Sequence, residues 1–334
     1  MSTEAIAARA PGKVFLAGEY SVLEGKQAFL IAIDRYVTAE FYPGEYGSPE
    51  GELVASALET AYAYLKDSDV RVRKGSIRIL NGLNDQTGRK LGLGSSGAIT
   101  VAVIKAILKV HKIACDASLL FKLGAISECR IQPQSSFGDI AASSYGGFIE
   151  YTPVDLRFLK ERMHSSSIKD LVSSDWPGLS VSRYSWPADT YPLLGWTGEP
   201  ASTESAVEKY QSAKSRKMKD WSRFLEDYQT RVAEPLERCL GHGDSSRFRE
   251  LIRDSRLIVR QMSEDLGLGL MSTTLDKLVR TAESLGASAK PTGSWLGDCG
   301  IALCDSPEQL ERLEREWQSI GVRPIRIQIA PEEV

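Results

Sequence analysis

The sequence predicts a fold that mixes strands and helices over two domains, and three observations carry that prediction. Its 334 residues exceed what one small core organises, which points to two units of roughly 100–200 residues each. The first forty residues pattern as strands, whereas longer segments further on carry apolar residues at helical spacing. The pattern then changes near residues 187–192, after PADTYP, so the expected domains are residues 1–188 and 189–334.

The elements follow in order. An apolar run around Val14–Ala17 is separated by the turn-forming EGK at 24–26 from QAFLIAI and YVTAEFY, two further strand-like stretches. Residues 52–65 place Leu58, Ala61 and Leu65 at helical spacing, and SIRIL at 76–80 alternates as a strand does. NGLNDQTGRK is loop by composition. From Ala98 to Val110 the helix is apolar nearly all round, so it is expected to be buried between other elements. A second helix near Ala117–Cys129 leads to the polar loop RIQPQSSFGD. After PLLGWTG, a long polar helix carries Trp221, Phe224, Leu225, Tyr228 and Val232 on one stripe, and further helices near 247–263 and 272–285 precede a strand at Cys299–Cys304. Ser306-Pro307-Glu308-Gln309 opens the last helix with a serine cap, proline at the first position and glutamine in capping-box register. Ile325, Ile327 and Ile329 alternate with Arg326 and Gln328 in a closing strand.

Composition removes several classes of function. A formal net charge of −3, with basic and acidic residues interleaved, argues against nucleic acid as the partner. No segment approaches 18 uninterrupted apolar residues and the first residues form no secretory leader, so we expect a cytoplasmic protein with no membrane partner, a monomer or homodimer. Five cysteines without a C-x-x-C, and three histidines without H-E-x-x-H, signal neither a disulfide framework nor a zinc site. Cys299 and Cys304, five apart on one strand, point to opposite faces.

Residues 90–103, KLGLGSSGAITVAV, hold G-x-G-x-x-G at Gly92, Gly94 and Gly97. A dinucleotide site wants that pattern directly after a strand, with an acid about twenty residues on. Asp116 meets the second condition, but SIRIL ends at Leu80 and about ten loop residues intervene, so the first fails. G-x-x-x-x-G-K-[ST] is also absent. What remains is a loop with two serines at the mouth of a buried helix, where backbone N–H groups and the helix dipole favour a polyphosphate and a serine hydroxyl reaches a magnesium ion. A tight connection with no ligand is the plainer alternative for such a turn.

Five segments in order decide between these: APGKVFLAGEY from Ala10, GRKLGLGSSGA, SSFGDIAASSYGG at 135–147, GWTGEPAST at 195–203 and AKPTGSWLGDCGIAL at 289–303, with DWPG at 175–178. Together they resemble the GHMP kinase superfamily over essentially the whole chain, and within it the bacterial-type phosphomevalonate kinases. The resemblance implies an α+β fold, with an N-terminal domain similar to the second domain of ribosomal protein S5, a ferredoxin-like C-terminal domain and the active site in the cleft between them. It also implies ATP with Mg2+, and 5-phosphomevalonate as the acceptor.

The same resemblance assigns residues. Gly92, Leu93, Gly94, Ser95, Ser96, Gly97 and Ala98 hold the triphosphate, with Ser96 on the metal. Lys13 and Asp139 are catalytic. Lys13 neutralises the transferred group or holds Asp139 as an anion; the alternative is an exposed strand-edge charge. Asp139 serves orientation or charge placement, because the acceptor phosphate is already ionised near neutral pH; the alternative is a helix cap. Tyr20, Lys90, Ser135, Ser136, Ser202, Gly293 and Ser294 fall on the substrate side with Lys13. For Arg89 and Lys90 a solvated loop pair is equally open, and Glu19 is read as structural.

The match breaks once. The third motif normally reads K-P-[ST]-G-A-G-G-G-D-C-G, but here Trp295 and Leu296 replace two glycines. Three readings stay open: a loop that keeps negative φ with Trp295 turned outward and activity intact, an acceptor pocket reshaped for a related substrate, or a weakened site that binds without turnover. Altered chemistry, such as decarboxylation of a mevalonate phosphate, also stays open.

Overall fold

The computed structural model describes residues 5–44, 50–199 and 203–331. Two antiparallel sheets organise it. The first is built from β1 (Ile6–Ala17), β2 (Ala28–Pro43), β3 (Gly75–Asn81), β4 (Phe148–Thr152) and β5 (Ser180–Tyr184). QAFLIAI and YVTAEFY prove to be one strand, β2, rather than two. Its register with β1 slips between Gly12↔Ile33 and Pro11↔Tyr36, so Asp34 and Arg35 bulge where a strand break was expected. Before the bulge, Ala28–Ile33 is buried on both faces; beyond it only Val37, Ala39 and Phe41 point inward.

Helices α2 (Ser95–Val110) and α4 (Gly138–Tyr145) pack on this sheet, α2 against β1 and β2, and α1 (Glu52–Asp67) and α3 (Ala117–Ile131) pack on α2, which is buried along almost its whole length, as its apolar circumference requires. Two short helices, α5 (Leu156–Ser165) and α6 (Ile168–Ser173), follow.

The second sheet runs β7 (Ser288–Pro291), β8 (Cys299–Cys304), β6 (Tyr191–Trp196), β9 (Arg323–Arg326). Helices α11 (Thr273–Ser284) and α12 (Pro307–Ser319) cover one face around Leu278 and Trp317, while α10 (Ser245–Leu266) lies against β7 and also reaches β1. Cys304 belongs to the core under α11 and α12, and Cys299 to the larger core on the other side, so the strand alternation held. The single polar helix expected around residue 221 is divided into α7 (Thr203–Arg216), α8 (Met218–Tyr228), a π turn at Gln229–Ala233 and α9 (Glu234–His242), with Pro235 at the start of α9. Ser306 caps α12 through the Gln309 N–H as expected, but the Gln309 side chain accepts from Asp305 N instead of the cap residue.

The closing strand is shared between the two sheets. Ile325 pairs with β6, whereas Ile329 bridges to Ile33, Asp34 N–H donates to the Gln328 carbonyl and Ala330 N–H to the Ala32 carbonyl. Among the described residues no helix is long and apolar enough to cross a membrane.

Candidate functional site

The glycine loop is fixed from below and open above. Leu91 and Leu93 are buried, the Leu93 carbonyl accepts from Lys13 N–H at 2.8 Å, and Ser95 Oγ accepts from the Asn81 side chain at 2.7 Å. Gly92 and Gly94 have φ of 76° and 78°, and Gly94 is the cap residue of α2, which receives no side-chain capping bond. The leading N–H groups of α2 therefore point out of the helix end with the positive end of its dipole. Ser95 and Ser96 sit half-buried in that first turn, and α2 begins at Ser95, three residues earlier than its apolar pattern suggested.

Each glycine of the pattern makes room for a charged side chain. A Cβ on Gly94 would lie 2.8 Å from Lys13 Cε, one on Gly97 would lie 2.9 Å from Asp139 Cγ, and one on Gly92 would lie 2.4 Å from Asp298 Cβ. These separations are shorter than side chains tolerate, so any larger residue would displace the group beside it. Lys13 reaches the loop from β1, where it pairs with Ala32, and its Nζ stands 5.1 Å above the Phe15 ring. Asp139 lies in the first turn of α4 and is not its cap residue, since Phe137 occupies that position with φ 56°. The helix-cap alternative for Asp139 is thereby set aside.

A carboxylate that the sequence did not single out joins them. Glu128 of α3 is buried, with Oε2 unpartnered. Burial first, and then the charge of Asp139, raise its pKa far above the usual carboxylate range, while the Ser135 hydroxyl and the charge of Lys13 act in the opposite sense. Ser135 Oγ donates to Glu128 and also accepts from Phe137 N–H, so this serine is engaged with the carboxylate. Ser136 Oγ accepts weakly from Gly138 N–H at 3.4 Å, and its carbonyl accepts from Tyr151.

The third motif lies between β7 and β8 and differs from expectation. Trp295 has φ 65° and is completely buried, so the reading with negative φ and an outward indole is wrong; the apolar ring gains more from the core than the backbone loses in the left-handed region. Lys290 forms a buried ion pair with Glu19, its ammonium 5.7 Å from the Trp295 ring centroid. Thr292 Oγ1 donates to the Phe15 carbonyl, and the Tyr20 hydroxyl donates to the Ser294 carbonyl at 2.7 Å. Tyr20, Gly293 and Ser294 thus lie along one seam between the first and third motifs, while Lys13 faces the glycine loop. Glu19, read as structural, is a member of the buried pair.

The remaining residues are dispersed. Lys90 is exposed and bridges to Asn84, and the Arg89 guanidinium stacks 4.7 Å over Trp196 while bonding Asp85. Ser202 lies outside the described residues. Next to Ile99 of α2, a cleft is lined by Leu53 and Val54 of α1 and Ile77 and Ile79 of β3, with Glu50, Gly51 and Glu52 at the start of α1. Among the described residues no three His, Cys, Asp or Glu side chains cluster for a metal.

Comparison with known proteins supplies independent findings. The family model for the GHMP kinase N-terminal domain matches residues 53–147, and that for the GHMP kinase C-terminal region matches residues 236–323. A phosphomevalonate kinase of Streptomyces sp. (strain CL190) is 31% identical over 98% of this chain and 98% of its own. A mevalonate kinase of Thermococcus sibiricus is 26% identical, covering 98% of this chain and 97% of its own. The solved Streptococcus pneumoniae phosphomevalonate kinase in complex with phosphomevalonate and AMPPNP superposes with a TM-score of 0.86 at 26% identity, over 97% of this chain and 99% of its own.

Proposed function

The chain belongs to the GHMP kinase family, and we propose that it transfers the γ-phosphate of ATP to the phosphate of 5-phosphomevalonate, giving 5-diphosphomevalonate and ADP. The observation that carries the reading is the convergence of Lys13 and Asp139 on Gly94 and Gly97, at the open end of α2. The choice of acceptor is supported by the names of the Streptomyces relative and the pneumococcal complex, and it goes further than the family, since mevalonate kinases match as well.

Phosphoryl transfer depends on positioning and charge neutralisation more than on covalent chemistry. The backbone of Gly92, Leu93, Gly94, Ser95, Ser96, Gly97 and Ala98 binds the nucleotide phosphates, Leu93 by its main chain alone because its side chain is core. The apolar cleft beside Ile99 takes the base. Lys13 neutralises the group in transfer, and Asp139 orients Lys13 and the acceptor without removing a proton. Ser96 and Asp139 fit magnesium by donor chemistry, both being oxygen ligands, and Glu128, whose Oε2 is unpartnered, would join them on losing its proton. Bound there, magnesium would supply charge neutralisation between the phosphates. On this reading Tyr20, Ser294 and Gly293 line the acceptor side, Ser135 acts through Glu128, and Ser136, Lys90 and Ser202 are auxiliary contacts.

ADP release measured against mevalonate, 5-phosphomevalonate and diphosphomevalonate tests the proposal, with turnover expected for 5-phosphomevalonate. Turnover with mevalonate alone would move the acceptor and leave the kinase. Release of carbon dioxide would indicate a decarboxylase, and AMPPNP binding without turnover of any acceptor a sensor.

A further inference from the structure

The third motif spans the site as a beam anchored at both ends. At one end Asp298 lies against Gly92 and the Cys299 thiol donates to the Leu91 carbonyl at 3.0 Å. At the other the Ser294 carbonyl receives the Tyr20 hydroxyl. Of the eight non-glycine residues with positive φ among those described, four belong to this beam or touch it: Trp295 and Asp298 within it, Tyr20 through Ser294, and Met271, whose N–H donates to the Trp295 carbonyl at 2.9 Å. Strain of that kind persists only where its surroundings over-determine it, and it gathers where geometry has to be held.

The indole is what over-determines it. The Trp295 ring lies wholly buried beside the Lys290–Glu19 pair and faces the ammonium, shielding the pair from water. Glu19 immediately precedes Tyr20, so the pair fixes the turn that presents the Tyr20 hydroxyl, while Trp295 fixes the carbonyl of Ser294 that receives it. Tyr20 is also braced from behind by the Tyr210 ring at 5.2 Å.

The position of this wall follows from β1. Lys13 touches the glycine loop, Phe15 lies two residues on along the same strand face, and the Phe15 carbonyl accepts from Thr292. Tyr20 and Ser294 come after that, in and against the turn beyond the end of β1. On the kinase reading, on which this inference rests, that is the acceptor side.

We propose that Trp295 is a positioning residue for the acceptor, acting through Ser294 and Tyr20, and that it replaces the conformational freedom of a glycine-rich third motif with a preformed wall. Trp295→Gly keeps the left-handed backbone without strain and removes only the indole. It is expected to raise the acceptor KM about tenfold or more while the ATP KM stays within about twofold, and Trp295→Phe should recover most of the acceptor affinity. Tyr20→Phe, which removes only the hydroxyl bond to Ser294, should reproduce the same selectivity with a smaller rise, about three- to tenfold. Should Trp295→Gly fail to fold, the selective rise in acceptor KM expected of Tyr20→Phe carries the test alone. Equal changes in both KM values, or an unchanged acceptor KM in folded Trp295→Gly or Tyr20→Phe, would overturn the proposal. The parent protein is assayed first against the three acceptors and by calorimetry with AMPPNP: if it neither binds nor turns over any acceptor, the kinase reading falls and this proposal with it. If one is used and Trp295→Gly shifts both substrates alike, only this proposal falls.

Discussion

The glycine loop and the third motif present nearly the same backbone to the site and fill it in opposite ways. Gly94 and Gly293 have φ of 78° and 75°, yet a Cβ on Gly94 would strike Lys13 while one on Gly293 meets nothing within 4 Å. The first loop uses glycine to leave space for charged groups; the third tolerates a tryptophan in the left-handed region because burying the indole offsets the strain. A glycine pattern in sequence therefore records two separable requirements, backbone freedom and empty volume.

The largest effect should come from the groups that the first loop makes room for. Lys13→Ala and Asp139→Ala are each expected to lower kcat by about 10²–10⁴-fold with little change in melting temperature, read by ADP release and thermal unfolding. Normal turnover in either would break the assignment of the first loop. Next, Lys290→Met should lower stability by about 3–5 kcal/mol, since it leaves Glu19 buried without its cation, and adding Glu19→Gln should restore much of the loss in denaturant unfolding. If the single variant were harmless, the third motif would not depend on the pair beneath it.

Paired alanine substitutions sharpen the comparison directly. Gly94→Ala and Gly293→Ala should each lose about 1–2 kcal/mol from the same backbone. Only Gly94→Ala should also reduce kcat/KM beyond that, because it displaces Lys13. A last effect concerns Glu128, which holds its proton more tightly folded than unfolded. The folded chain thus carries the extra proton between its ordinary pKa of 4.5 and about 8, and stability is full below that interval and declines as pH rises through it. Glu128→Gln should flatten this decline, seen as a gain in melting temperature over the parent at pH 8 that shrinks towards pH 5.

Much of this arrangement is legible in the sequence, and the exceptions have physical reasons. The glycine loop shows itself because left-handed turns and tight approaches both select glycine, and α2 because its apolar circumference admits no exposed face. Lys13 and Asp139 stand out through their motifs. Glu128 does not, since one acid in the apolar run AISECRI looks like any helix residue until α4 brings Asp139 beside it. Trp295 misleads because a large side chain in place of a glycine argues for negative φ and an outward ring, whereas the ring's own apolar area argues for the core, and the second won. The strand β2 looks like two because its bulge at Asp34 and Arg35 interrupts the alternation without ending the pairing.

The closing strand has a consequence for how the molecule is made. Asp34 and Gln328 bond to each other although they stand 294 positions apart, and residues 328–330 complete the sheet whose first strand carries Lys13. Contacts of such separation form late, after the entropy of a very long loop has been overcome. The strand β2, which pairs with the strand that presents the candidate catalytic lysine, thus gains its last neighbour only when residue 330 has been synthesised, so partly made chains would hold the glycine loop without a finished site.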